Sequence, residues 1–229
     1  MSRLLGSLAI LSSLAACDSQ VDGDHQGTPL AQVAGSVRNT RTQPVGDAEV
    51  VVVWHNSSGS PDLIAADSVE VEGSFPAQFT LSIYEPPAAA LLNDFNGVDV
   101  GVAYIVAGQL GADYNDEDGA GILGAEADHL LVYLPEAVPA GSDASYVLRG
   151  TPAAGFHVYA MHKLTEQEQL DRQACVDMLG TDPTIPELFE QCGGFQSFDD
   201  FVPTETDLAT PLDVELIDDL SQLELPNWT

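Results

Sequence analysis

A series of short strand-like segments between residues 30 and 162 constrains the fold most. The densest of them is Ala48 to Trp54, which reads AEVVVVW. β-branched and aromatic residues fit a pleated strand, and a nearly continuous apolar run of this length predicts a strand buried on both faces. Twenty glycines and fourteen prolines are spread along the chain, which favours many turns and short elements. We therefore expect a mainly β protein.

Another segment predicts a strand with one buried face. Within residues 75–84, apolar Phe79, Leu81 and Ile83 alternate with polar residues. This alternation is typical of a half-buried antiparallel strand. Turn residues separate further runs, so we predict about eight strands, with one helical turn at 88–92. The predicted strands are 30–37, 48–54, 63–71, 75–84, 98–110, 129–134, 144–148 and 155–162.

The first two predicted strands and the loop between them resemble a known kind of module. Gly35, Val37, Pro44, Val45, Ala48, Val50 and Val52 carry the resemblance. The pattern is similar to the opening hairpin of exported carboxypeptidase-regulatory and transthyretin-like domains. The resemblance implies an antiparallel β-sandwich, of Ig-like or transthyretin-like type.

The predicted secondary structure changes from strands to helices at Lys163. Thr165 and Glu168 form a capping-box pattern, which predicts a helix that ends near Gly180. Four apolar residues lie on one stripe of this helix: Leu170, Ala174, Met178 and Leu179. A shorter helix is predicted over 183–192, and a last strand over 213–217.

The N-terminus reads as an export signal. One basic residue, Arg3, precedes thirteen uncharged residues from Leu4 to Ala16, too few to span a bilayer. The sequence Leu14-Ala15-Ala16-Cys17 resembles the lipobox of bacterial lipoproteins, which implies cleavage before Cys17 and acylation of that cysteine, with palmitate among the acyl chains. The alternative is an ordinary signal peptide. Asp18 resembles an inner-membrane retention signal, but the choice between inner and outer membrane stays open.

These features predict the domain organisation and a disulfide. We expect a lipoprotein signal peptide at 1–16, the acylated cysteine and an acidic tether at 17–29, a β-sandwich at 30–162, and a helical decoration with a possible last strand and an acidic tail at 163–229. With Cys17 acylated, Cys175 and Cys192 remain as an even pair in an oxidising compartment. We expect them to form a disulfide that ties the decoration together.

Charge limits the partners. Without Arg3, five basic residues stand against 36 acidic ones, a formal net charge of −31. Such a chain repels nucleic acid and anionic lipid headgroups, so we expect no nucleic-acid partner and contact with the membrane through the N-terminal lipid alone. Divalent cations and basic partners are attracted, although solubility accounts for most of the acidity.

The most acidic stretch is a candidate calcium site. Residues 113–119 read DYNDEDG, and calcium takes six to eight oxygen ligands. The stretch resembles the Asp-x-Asn-x-Asp-Gly loops of calcium-binding modules, with one residue inserted and no glutamate at loop position twelve, so a looser loop than an EF-hand is implied. The expected ligands are Asp113, Asn115 and Asp118, with weaker contributions from Asp116 and Glu117. The alternative is a solvated acidic loop.

No motif in the sequence assigns an enzymatic activity. The pair His157 and His162 is expected to point to opposite faces of a strand, and His55 and His129 sit at predicted strand ends, where structural roles are expected. We therefore expect a non-enzymatic envelope lipoprotein that binds or scaffolds a protein or polysaccharide partner. The alternatives are a carbohydrate- or peptide-acting enzyme that uses carboxylates and a secretion-system accessory lipoprotein.

Overall fold

The protein is described by a computed structural model that covers residues 27–55, 63–95, 97–114, 121–180, 183–193 and 200–226. The chain is mainly β, as predicted, and its described strands join in one open, mixed sheet. The strands are β1 (Ala31–Asn39), β2 (Ala48–His55), β3 (Leu63–Val71), β4 (Ala77–Ile83), β5 (Leu92–Asp94), β6 (Asp99–Gln109), β7 (Ile122–Ala125), β8 (His129–Leu134), β9 (Gly155–Lys163), β10 (Phe201–Thr206) and β11 (Leu212–Leu216).

The two most buried strands, β2 and β6, form the centre of the sheet. They pair antiparallel along their length, from Ala48 opposite Gln109 to Trp54 opposite Ala103. Both are buried on both faces, as the valine-rich run predicted. The other edge of β6 pairs with β8 near Gly101 and with β7 near Ala107. From there the sheet continues one way through β8, β9 and β10, and the other way through β7, β11, β1 and β4.

Each face of this centre has its own hydrophobic core. Alternate residues of β2 and β6, with Trp54 among them, pack with the inward faces of β1, β4 and β11 in the first core. The opposite residues, such as Val53 and Tyr104, pack with the segment around residues 138–148 and with Leu223 in the second core. Full burial of a large apolar side chain stabilises the fold by about 1.5–3 kcal/mol. The sheet therefore has covering segments on both sides of β2 and β6.

One strand pairing was not predicted. β11 lies between β1 and β7, and it runs parallel to β1 and antiparallel to β7. All other described pairings are antiparallel. A Cβ at Gly35 would lie 1.7 Å from the carbonyl oxygen of Leu212, so only glycine allows this close approach. The sheet is thus mixed, and it extends past residue 162 into the segment predicted as decoration.

The predicted strand at 144–148 is wrong, because these residues form helix α1 (Asp143–Val147). Ser142 caps this helix by accepting a hydrogen bond from the Ser145 amide. Ala144, Val147 and Leu148 are buried at the i, i+3, i+4 spacing of a helix. Burial of one helical face, together with the serine cap, outweighs the strand propensity of the sequence ASYVL.

The predicted helices and disulfide are present. Helix α2 (Glu166–Leu179) begins with the predicted capping box, and helix α3 (Ile185–Cys192) has a second one that the sequence reading did not identify. The disulfide joins Cys175 on α2 to Cys192 at the end of α3. Among the described residues, no helix is both long and apolar enough to span a membrane.

The apolar stripe of α2 is not buried against the sheet. Leu170 is 58% exposed and Met178 is 80% exposed. Ala174 is also exposed, and Leu179 is only partly buried. No residue of α2 is buried. The helix is held by the disulfide and by contacts with α3 instead of by an apolar face against the sheet.

Candidate functional site

A cleft lies where the segment after α1, the end of β9, helices α2 and α3, and β10 come together, and it contains two arginines in a very acidic protein. Its volume is about 480 Å³. Two of the five basic residues that follow the predicted signal peptide, Arg149 and Arg172, line it, together with His162. We call this feature the arginine cleft.

Arg149 has an unusual backbone conformation. It directly follows the C-cap of α1 and has a φ of 55°, in the left-handed region. Its amide donates to the Tyr146 carbonyl at 3.2 Å, and the Gly150 amide donates to the Ser145 carbonyl at 2.9 Å. These two bonds form a Schellman motif, in which the left-handed position is usually glycine. An arginine occupies it here, and its guanidinium donates to the carbonyl of Gly193 at the end of α3.

Arg172 projects from α2 into the same cleft. Partial burial lowers the pKa of Arg172, and the positive charge of Arg149 lowers that pKa further, against the smaller opposing effects of Asp200 and Glu168. Partial burial also lowers the pKa of Arg149. An arginine nevertheless stays charged at any physiological pH. The cleft thus brings two positive charges close enough to repel each other.

The two carboxylates in the cleft accept hydrogen bonds from residues of their own helix region, and Glu168 also lies 3.8 Å from the His162 ring. Glu168 accepts bonds from the amide of Thr165 at 2.8 Å and from its hydroxyl at 2.7 Å, which lowers the pKa of Glu168. Asp171 accepts a bond from Gln167 at 2.8 Å. In the part of the chain that the structure describes, neither Arg149 nor Arg172 forms a salt bridge. The guanidinium groups therefore keep donors for another acceptor.

The disulfide fixes the geometry of the cleft. It ties α2, which carries Arg172, to the end of α3, where Gly193 accepts the Arg149 bond. Both cysteines line the cleft, and Leu164 and Val202 add apolar surface. The spacing of the two arginines thus depends on a covalent link that closes a local loop of the chain.

Of the predicted calcium loop, the structure describes only Asp113 and Tyr114. Asp113 is exposed, while Asn115, Asp116, Glu117 and Asp118 lie outside the described residues. Tyr114 is buried over Gly108, where a Cβ would come within 2.3 Å of the tyrosine hydroxyl. The Gly111 amide donates to Glu49 on β2 at 3.0 Å, and burial together with Glu49 raises the pKa of Tyr114. The chain that leads into the loop is therefore anchored to the sheet.

Two histidines pair with carboxylates. Glu126 is buried, and it accepts bonds from the amide of His129 at 2.5 Å and pairs with its Nδ1 at 2.8 Å. This bond raises the pKa of His129, although burial opposes the rise. On β9, the two ring nitrogens of His157 face Glu205 at 2.7 Å and the Ala153 carbonyl at 2.8 Å. Within the described ranges, no three histidine, cysteine or acidic residues are arranged to hold a metal ion.

Two further clefts differ in chemistry from the arginine cleft. One has a volume of about 480 Å³ and is lined by residues that include Asp67, Tyr84 and Glu85. Burial raises the pKa of Asp67, and the charge of Glu85 adds to the rise, while hydrogen bonds from backbone donors oppose it. The other has a volume of about 410 Å³ and is mainly apolar, with lining that includes Leu223 and Pro226. The Tyr104 hydroxyl donates to the Pro226 carbonyl at 2.6 Å, which holds the C-terminal segment at this cleft.

The sequence reading missed the arginine cleft. Arg149 and Arg172 belong to no motif, and the only available signal was the scarcity of basic residues in the chain. The lipidation residue predicted from sequence, Cys17, lies outside the described residues. Neither known protein families, curated proteins nor solved structures gave a match to this chain. The site is therefore assigned from its own geometry and chemistry.

Proposed function

We propose that this protein is a bacterial envelope lipoprotein, anchored by lipid on Cys17, whose β-rich domain binds a ligand without transforming it. The observation that carries the membrane part of the proposal is the lipobox-like sequence Leu14-Ala15-Ala16-Cys17 behind a short apolar segment. The first strand begins at Ala31, so the chain from Cys17 to that strand can span at most about 50 Å when fully extended. The domain would then stay near the membrane surface, in either the inner or the outer membrane.

The binding part of the proposal rests on the arginine cleft. Two guanidinium groups, an apolar lining and a disulfide that holds their spacing are features of a preorganised recognition site. A protein or polysaccharide of the envelope could present the bound group. Nucleic acid is a poor partner because the net charge of the chain is −30.

The proposal includes the finer fold type. The inward faces of β1, β4 and β11 share one core with β2 and β6. A sheet folded over on itself in this way supports a β-sandwich of Ig-like or transthyretin-like kind, modified by the parallel strand β11. The helices α2 and α3 would then be a decoration on the side that carries the ligand site.

Lipid attachment is tested by metabolic labelling. Cells that produce the full chain receive radiolabelled palmitate, and the protein is recovered and partitioned into detergent. The wild-type chain should carry label and enter the detergent phase, and Cys17→Ser should do neither. Cys175→Ser serves as the matched cysteine control and should remain labelled. Label that persists in Cys17→Ser, or that is absent from the wild-type chain, would contradict the lipoprotein assignment.

A calcium ion on the loop at 113–118 remains part of the proposal. Its support is the density of carboxylates in the sequence and the hydrogen bonds that join the flanking residues Gly111 and Gly121 to Glu49 and Gln109 of the sheet. A bound ion would offset the repulsion among Asp113, Asp116, Glu117 and Asp118. Thermal melts of the full chain in calcium and in chelator test this: a rise in Tm with calcium that disappears in Asp113→Ala supports the site, and superimposable melts reject it.

The cleft at Asp67 favours one alternative function, a hydrolase that works through carboxylates. Asp67 and Glu85 line the same cleft, and the raised pKa of Asp67 suits a general acid. A panel of chromogenic glycosides and peptides tests this alternative. Turnover by the wild-type chain that is lost in Asp67→Asn but retained in Asp213→Asn would replace the binding-only proposal, whereas no turnover on the panel leaves this alternative without support.

A further inference from the structure

We propose that the arginine cleft binds a carboxylate group attached to an apolar body, held between the guanidinium groups of Arg149 and Arg172. The inference rests on the proposed binding function and specifies its ligand class. It starts from the distribution of charge: a chain with 36 acidic residues places two of its few arginines in one cleft beside His162. Neither arginine has an ion-paired partner among the described residues, so N–H donors of both guanidinium groups are available to an anion that enters the cleft.

Arg149 adds a second, independent argument. Its left-handed backbone conformation is one that glycine adopts freely and arginine does not. Strained positions of this kind persist where the side chain is used. The bond from this guanidinium to the Gly193 carbonyl occupies one of its five N–H donors and orients the rest.

The charges in the cleft favour a carboxylate over a phosphate. Arginine presents a planar fork that matches either group. Glu168 and Asp171 also line the cleft, so the two arginines leave its formal charge near zero, apart from His162. A doubly charged phosphate would meet these two carboxylates and the strongly negative field of the whole chain. A singly charged carboxylate is repelled less and can use the same guanidinium donors.

The apolar lining predicts what the carboxylate is attached to. Leu164, Val202 and the Cys175–Cys192 disulfide line the same cleft. Its volume of about 480 Å³ leaves room for an aromatic ring or a branched side chain beside the carboxylate. Benzoate is therefore a suitable small probe, acetate lacks the apolar body, and benzamide lacks the charge.

The test is a titration of the full chain, labelled with ¹⁵N-arginine and purified in non-ionic detergent, in which the arginine Nε–H resonances are followed by NMR. Benzoate, acetate, benzamide and inorganic phosphate are added separately at constant ionic strength. Arg38 and Arg41 are internal references because each already pairs with an aspartate, Asp213 and Asp218 respectively. Benzoate should shift the resonances of Arg149 and Arg172 in a saturable manner and leave those of Arg38 and Arg41 in place. Acetate should bind more weakly, phosphate more weakly than benzoate, and benzamide should cause no shift.

Two variants complete the test. Arg172→Gln should weaken benzoate binding at least tenfold, and Arg38→Gln, the matched control, should leave it unchanged. Circular dichroism of both variants establishes that they fold. Equal shifts of all arginines, or no shift with any probe, would overturn the site. Tighter binding of phosphate or benzamide at the same two arginines would overturn the ligand class while leaving the binding function in place.

Discussion

Two substitutions of Arg149 distinguish the effect of its backbone conformation on stability from the effect of its side chain. We compare Arg149→Ala with Arg149→Gly. Both variants lose the bond from the guanidinium to the Gly193 carbonyl, so that loss cancels in the comparison. They differ in the cost of the left-handed conformation at φ 55°, which an alanine has and a glycine does not.

The magnitude follows from the backbone. A left-handed conformation costs an L-residue about 1–2 kcal/mol, and the extra entropy of glycine in the unfolded chain offsets part of the gain. Arg149→Gly should therefore have a free energy of unfolding about 1 kcal/mol higher than that of Arg149→Ala. In a chain of this size, about 1 kcal/mol raises Tm by roughly 2–4 °C.

Urea denaturation followed by circular dichroism measures this difference, and a control substitution reverses its sign. Arg38 lies in β1 and also has an exposed side chain. In a strand, glycine is less stable than alanine by about 0.5–1 kcal/mol. Arg38→Gly should thus be less stable than Arg38→Ala. If Arg149→Ala proves as stable as Arg149→Gly, the argument that Arg149 occupies a strained position is refuted.

Three further predictions concern the His129–Glu126 pair, the Cys175–Cys192 disulfide and the pairing of β1 with β11. Because pairing with Glu126 raises the pKa of His129, the stabilisation from this pair is complete below the unfolded pKa of about 6.5 and is lost as the pH rises through the folded pKa. The Tm of the wild-type chain should therefore fall more between pH 6 and pH 9 than the Tm of His129→Gln. Equal falls in Tm would count against the pair. Reduction of the disulfide should destabilise α2 locally by about 3 kcal/mol, so that amide exchange becomes faster in α2 but not in β6, and uniform acceleration throughout the chain would contradict a local effect. Gly35→Ala should destabilise the fold by more than about 4 kcal/mol or prevent folding, because the new Cβ would meet a backbone carbonyl of β11. Gly46→Ala, whose Cβ would meet nothing within 4 Å, should be nearly neutral, and circular dichroism measures both. A stable Gly35→Ala chain would refute the register of β1 and β11.

Local sequence pattern was sufficient to predict the elements whose structure depends on residues that are near in sequence. The valine run from Ala48 predicted β2, and the alternation around Leu81 predicted β4. In both, the order of apolar and polar residues indicates whether one or both faces of the strand are buried. The capping box at Thr165 predicted where α2 begins for a similar reason, since the bonds join residues three apart.

Elements that depend on distant partners were not predicted. β7 has only four residues and includes Gly124, so it carries no periodic signal. β10 contains Pro203, which argues against a strand, and it is tolerated because β10 pairs only with β9 in the described sheet. The parallel pairing of β1 with β11 joins residues about 177 positions apart, and no local pattern specifies such a partner.

The arginine cleft could not be found from sequence for the same reason. Arg149 and Arg172 are brought together by the packing of three helices and by the disulfide, and neither residue is marked by its neighbours in sequence. The apolar stripe of α2 is largely exposed, and the disulfide and contacts with α3 hold this helix. Lipid attachment, by contrast, depends on a short contiguous signal, and it was proposed from sequence alone.

A crystal structure of the full chain with benzoate would test the central claim most directly. We predict one carboxylate bound within about 2.7–2.9 Å of nitrogen atoms of both Arg149 and Arg172, with the ring against Leu164 and Val202. A benzoate bound at Arg38 or Arg41 instead, or an arginine cleft that stays empty under conditions in which the probe is in excess, would contradict the account.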